Sequence, residues 1–121
     1  MNTPTIFWSQ TKTNVNLKIS IGDYRNLNFD LSESNITFNC ESNNLNYTFS
    51  FQTFKDVKDY KMNDTGSIIN ITLNKTENTW WNKLTENIKY KNHIKVDWDK
   101  WVDEDDIDDN DGDGNEADNN G

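Results

Sequence analysis

Apolar residues fall on alternate positions through most of the chain. The alternation is strict in Val15-Asn16-Leu17-Lys18-Ile19-Ser20-Ile21, and Leu27-Asn28-Phe29-Asp30-Leu31 and Ile36-Thr37-Phe38-Asn39-Cys40 repeat it. Successive side chains of a strand point to opposite faces, so each run predicts a strand with one buried side. Leu45, Tyr47, Phe49 and Phe51 continue the pattern; the phase then slips before Phe54, which predicts a bulge or a strand end. Ile69, Ile71 and Leu73 predict a further strand, and Ile6-Phe7-Trp8 a short first one. Ile94, Val96 and Trp98 predict the last, with Lys95 and Asp97 on its opposite face. Gly22-Asp23, Ser32-Glu33-Ser34, Ser42-Asn43-Asn44 and Asn63-Asp64-Thr65-Gly66 separate these runs as turns. The expected fold is all-β, a compact antiparallel β-sandwich of seven or eight strands, with a helical turn only around residues 84–88.

Charge divides the chain. The net charge is −9, yet ten of the 21 acidic residues and none of the 12 basic ones lie in residues 103–121. The body over 1–102 is therefore nearly neutral. After Val102 only Ile107 and Ala117 are apolar, too little to offset the entropy of ordering, so 103–121 is expected to be a disordered acidic tail.

Catalytic chemistry finds few residues to work with. His93 is the single histidine and lies in a strand pattern away from any glycine-rich elbow, so a Ser-His-Asp triad is disfavoured. Cys40, the single cysteine, alternates in phase with Ile36 and Phe38 and reads as a buried core thiol. One thiol cannot form an internal disulfide, and the polar opening Met1-Asn2-Thr3-Pro4-Thr5 leads into no apolar run of signal or membrane length. Cytoplasmic residence is expected, with the nucleus also open. The sequons at Asn35, Asn46, Asn63, Asn70 and Asn74 then reflect asparagine bias. Asp109-Asn110-Asp111-Gly112-Asp113-Gly114 opens like a calcium loop, but Glu116 and Asn120 occupy the positions of the apolar and bidentate residues, so no metal is expected.

Aromatic residues carry the functional signal. Trp80, Trp81, Trp98 and Trp101 fall near the end of the body among Lys83, Lys89, Lys91, Lys95 and Lys100. Tryptophans beside lysines suit a protein-binding hot spot. Trp81 is balanced between core and contact, whereas the charged neighbours of Trp101 favour exposure. A nucleic-acid partner is disfavoured, because the acidic tail would compete with phosphate for the same lysines.

The series Trp81-Asn82-Lys83-Leu84-Thr85, Asn92, Val96-Asp97-Trp98-Asp99-Lys100-Trp101 and Asp103-Glu104-Asp105-Asp106 resembles the signature of the 23-kDa co-chaperones of heat-shock protein 90, in the CS-domain (HSP20-like) family. Leu27-Asn28-Phe29, Ile36-Thr37-Phe38-Asn39-Cys40 and Trp8 extend the resemblance over the body. Asn82, Lys83, His93 and Trp98 stand where the signature has proline, arginine, tryptophan and phenylalanine. The resemblance implies an immunoglobulin-like CS domain over 1–102 and a monomer without catalytic residues or cofactor. It also implies binding to the ATP-bound closed dimer of the 90-kDa heat-shock protein, slowing ATP hydrolysis and client release. Its partner-binding residues would be Trp81, Lys83, Leu84, Thr85, Asn92, Trp98 and Trp101. The tail would support a passive chaperone activity toward unfolded clients. CS-domain adaptors of the dynein-regulator or ubiquitin-ligase-assembly type are the alternative. The glutathione-dependent prostaglandin E synthase activity of some members is linked to a tyrosine after the first tryptophan, where this chain has Ser9.

Overall fold

The structure, a computed structural model, describes residues 2–101; the expected disordered tail over 103–121 lies outside the described residues. Eight strands run in order: β1 (Ile6–Gln10), β2 (Asn14–Ser20), β3 (Arg25–Ser32), β4 (Asn35–Ser42), β5 (Leu45–Gln52), β6 (Val57–Asp64), β7 (Ile68–Lys75) and β8 (Ile94–Val96). They form a five-stranded sheet, ordered β6-β7-β2-β1-β8, and a three-stranded sheet, ordered β3-β4-β5. Every pairing is antiparallel except β1 with β8, which is parallel.

Alternation becomes burial as period-two patterning requires. Val15, Leu17 and Ile19 of β2, Ile36, Phe38 and Cys40 of β4, and Ile69, Ile71 and Leu73 of β7 are all buried. Phe49 stacks on Phe38 at 5.0 Å and on Phe51 at 5.3 Å between ring centroids, linking β4 and β5 in the core. Two-residue turns close the β3–β4 and β4–β5 hairpins. Glu33 and Ser34 have φ of 49° and 71°, and Asn43 and Asn44 have 52° and 64°. Positive φ at both central positions matches the right-handed twist of the flanking strands.

Three expectations need correction. A strand at Val57–Asp64 has no counterpart in the sequence reading. Its register shifts between Val57 and Asp59, which throws Val57 out of phase with Tyr60 and Met62 and hides the period. The helical turn falls at Ile88–Tyr90 instead of 84–88; Asn87 caps it by accepting the Lys89 N–H at 3.0 Å. The last strand stops at Val96. Asp97 N–H donates to the Trp8 carbonyl at 2.8 Å, and Lys100 N–H donates to the Asp97 carbonyl at 3.0 Å, so the chain turns. Asp97 is consequently buried and Trp98 exposed, the reverse of an unbroken strand. His93 lies in the turn just before β8.

Candidate partner-binding surface

Residues 76–101 leave β7, cross one end of the sandwich and return as β8. Few of their backbone groups join a sheet, so side chains must anchor the segment. Trp81 and Leu84 are fully buried, and Tyr90 is nearly so. The Leu84 carbonyl accepts the Phe54 N–H at 2.8 Å, and the Tyr90 hydroxyl accepts the Ser50 N–H at 3.1 Å. Thr85 donates its hydroxyl to the Gln52 carbonyl at 2.6 Å. These contacts also cover part of the outer edge of β5, which Asn2 pairs further along through the Asn46 carbonyl and the Thr48 N–H.

The sequence-derived site residues therefore separate into two groups. Trp81 and Leu84 face the interior and hold the segment. Lys83 and Asn92 are exposed, Thr85 is half-buried, and the Lys83 ammonium lies 5.7 Å from the centroid of Phe54. Trp98 is 76% exposed. Trp101 is half-buried instead of open, because three tryptophans surround it. Its ring makes edge contacts to Trp8 at 5.2 Å, Trp80 at 6.4 Å and Trp98 at 6.5 Å. Edge-to-face geometry sets the positive ring edge against the negative face, adding to simple burial. The outcome is a tryptophan cluster with an interior end at Trp8 and a solvent end at Trp98.

Two residues that sequence reasoning passed over hold this cluster in place. Lys75 is 2% exposed and its amine donates to Gln10 Oε1 at 2.9 Å, the Thr11 carbonyl at 2.8 Å and the Thr79 carbonyl at 2.8 Å. The same ammonium sits over the Trp80 ring at 5.5 Å and the Trp81 ring at 5.7 Å. Burial pushes its pKa down to about 8. Gln10, also 2% exposed, accepts the Trp81 N–H at 3.0 Å and returns its own N–H to the Trp81 carbonyl at 2.5 Å. A signal did exist in the sequence. Gln10 continues the inward phase of Ile6 and Trp8, and Lys75 continues that of Ile69, Ile71 and Leu73. A polar residue in the buried phase at a strand's end needs a partner.

The remaining chemistry is sparse. Lys18 and the buried Asp97 make a long ion pair of 4.0 Å behind β8. Cys40 is buried, and burial raises its pKa. Among the described residues, no three His, Cys, Asp or Glu side chains gather as a metal site would require.

This sandwich has the fold of a CS domain. The CS domain of human KIAA1068 protein superposes with a TM-score of 0.61 at 17% identity, covering 72% of this chain and 77% of that one. A nuclear movement protein from E. cuniculi superposes at 0.57 with 14% identity, over 67% of this chain and 98% of that one. No family model matches the chain. In sequence it is similar to proteins named co-chaperones and to proteins named very-long-chain (3R)-3-hydroxyacyl-CoA dehydratases. Co-chaperone protein p23-1 of Brassica napus is 30% identical over 111 residues, covering 87% of this chain and 62% of the relative. Co-chaperone protein daf-41 of Caenorhabditis elegans is 28% identical, over 84% and 60%. A very-long-chain (3R)-3-hydroxyacyl-CoA dehydratase of Danio rerio is 32% identical over 109 residues, 86% of this chain but 30% of the relative. The chain thus spans under two thirds of the co-chaperones and under one third of the dehydratase.

Proposed function

We propose that this protein is a co-chaperone of the 90-kDa heat-shock protein, acting in the cytoplasm by binding and not by catalysis. The observation that carries the reading is the tryptophan cluster ending in the open Trp98 ring, on a CS-domain fold similar in sequence to proteins named co-chaperones. Lys83, Thr85, Asn92, Trp98 and the outer edge of Trp101 form the contact surface, with Trp81 and Leu84 as its interior anchors. A ligand that binds only the ATP-bound closed dimer stabilises that state by its differential affinity, slowing ATP hydrolysis and client release. The acidic residues 103–121 keep bound unfolded clients dispersed by charge. Pull-down against the 90-kDa chaperone with a non-hydrolysable ATP analogue, and with ADP in parallel, tests this. Retention only with the analogue is expected; equal retention with ADP refutes state-selective binding.

The dehydratase similarity favours a second reading, in which this CS fold is one module of a longer polypeptide. The mass of the endogenous protein on an immunoblot distinguishes the two.

A further inference from the structure

Lys75 is an unusual strut. Among the described residues the ion pair of Lys18 with Asp97 stands alone, so no carboxylate neutralises this buried ammonium. Its neighbours on each side are neutral or engaged elsewhere. Gln10 and Thr11 on the β1 side are uncharged, and Lys12 is exposed. Towards β6, Asp56 receives the Ser34 hydroxyl and Asp59 receives the Asn74 amide. Along the following segment Thr79, Trp80 and Trp81 are uncharged, Glu77 is exposed, and Lys83 lies over Phe54. Three oxygens and two aromatic faces therefore do the work of a counter-ion.

We propose that Lys75 and Gln10 are the positioning residues of the tryptophan surface, which keeps its shape only while the Lys75 amine is protonated. A protonated amine has three N–H donors, matching Gln10 Oε1 and the carbonyls of Thr11 and Thr79. The neutral amine has two donors and a lone pair, so one oxygen loses its hydrogen bond. Loss of charge also ends the attraction to the Trp80 and Trp81 ring faces. The Thr79 carbonyl directly precedes Trp80, and Trp80 packs on Trp101. Releasing this corner shifts the ring against which Trp101 leans. Burial places the proton's departure close to neutral pH, at about 8. The inference rests on the proposed function only in naming the surface as a docking site.

The test reads the indole N–H resonances of Trp80 and Trp81 by NMR from about pH 6.5 to about 9.5, assigned with Trp80→Phe. Both are expected to shift with a shared midpoint near about 8. Lys75→Met, which keeps chain length and apolar volume, is expected to abolish the titration. Gln10→Glu places a carboxylate on the amine and is expected to raise the midpoint by about one unit or more, to the top of this pH range or beyond it. A midpoint that belonged to a group other than Lys75 would not move with it. If Lys75→Met fails to fold, the wild-type and Gln10→Glu curves decide alone. Flat resonances in the wild type, an unchanged midpoint in Gln10→Glu, or a surviving titration in Lys75→Met overturns the proposal. The resonances are read without a partner, so a failed chaperone pull-down would refute the proposed function and leave this result standing.

Discussion

Trp98→Ala is expected to weaken chaperone binding severely while leaving a folded protein. The ring is 76% exposed, so about a quarter of it is covered, on the order of 60 Å² of the roughly 250 Å² that a tryptophan can bury. At about 25 cal/mol per Å² this coverage stabilises the fold by about 1.5 kcal/mol. That figure is an upper bound, because a compact unfolded chain already covers some of the ring. Domains of this size are stable by about 5 to 15 kcal/mol, so the variant remains overwhelmingly native at room temperature. A hot-spot tryptophan lost from an interface costs about 2 kcal/mol or more, about thirtyfold in Kd. Isothermal titration against the chaperone loaded with the ATP analogue measures the affinity, and thermal unfolding of the same preparation measures the stability. An affinity within about threefold of wild type, with the fold intact, would refute Trp98 as the contact.

Other perturbations follow from the same geometry. Trp101→Ala removes three ring contacts at once and is expected to lower thermal stability more than Trp98→Ala does, by calorimetry. Phe49→Ala opens the core between Phe38 and Phe51 and should cost about 3 to 5 kcal/mol in chemical denaturation. Cys40 is buried with a raised pKa, so its alkylation should be slow in the native protein and fast in denaturant. The Lys75 pKa is lowered in the fold to about 8, against about 10.4 for an unfolded lysine. Between those values the unfolded chain holds more protons, so this group makes stability rise with pH. Denaturation of the wild type should show that rise relative to Lys75→Met, and parallel curves would refute it.

Sheet elements were legible wherever one face is buried and the other solvated. In β2, β4 and β7 the inward positions are apolar up to the strand ends, where Ser42 and Lys75 close β4 and β7, so period two survives in the sequence. β6 was not legible, for it is an edge strand with a bulge and only Val57 fully buried. The tryptophan segment was recognisable by composition, but its division into anchors and contacts was not. Trp98 lies between Asp97 and Asp99 and Trp81 between Trp80 and Asn82, yet strand alternation put Trp98 on the face of Ile94 and Val96. What separates them is tertiary. Trp81 is drawn inward by the Gln10 amide and the Lys75 ammonium, from strands 71 and 6 residues earlier. Trp98 points outward because β8 pairs with only three residues of β1 before the chain turns at Asp97.

The parallel pairing of β1 with β8 has a consequence for folding order. Phe7 lies beside Lys95 and Trp8 beside Val96, contacts that join the two ends of the described chain. Every antiparallel hairpin can close locally during synthesis, but this pair encloses a loop of almost the whole body, with a correspondingly larger entropic cost. A nascent chain ending before Ile94 leaves one edge of β1 unpaired and Trp8 without its Trp101 neighbour. The tryptophan cluster is thus assembled last, and the β1 edge that β8 covers is open to misassociation until then.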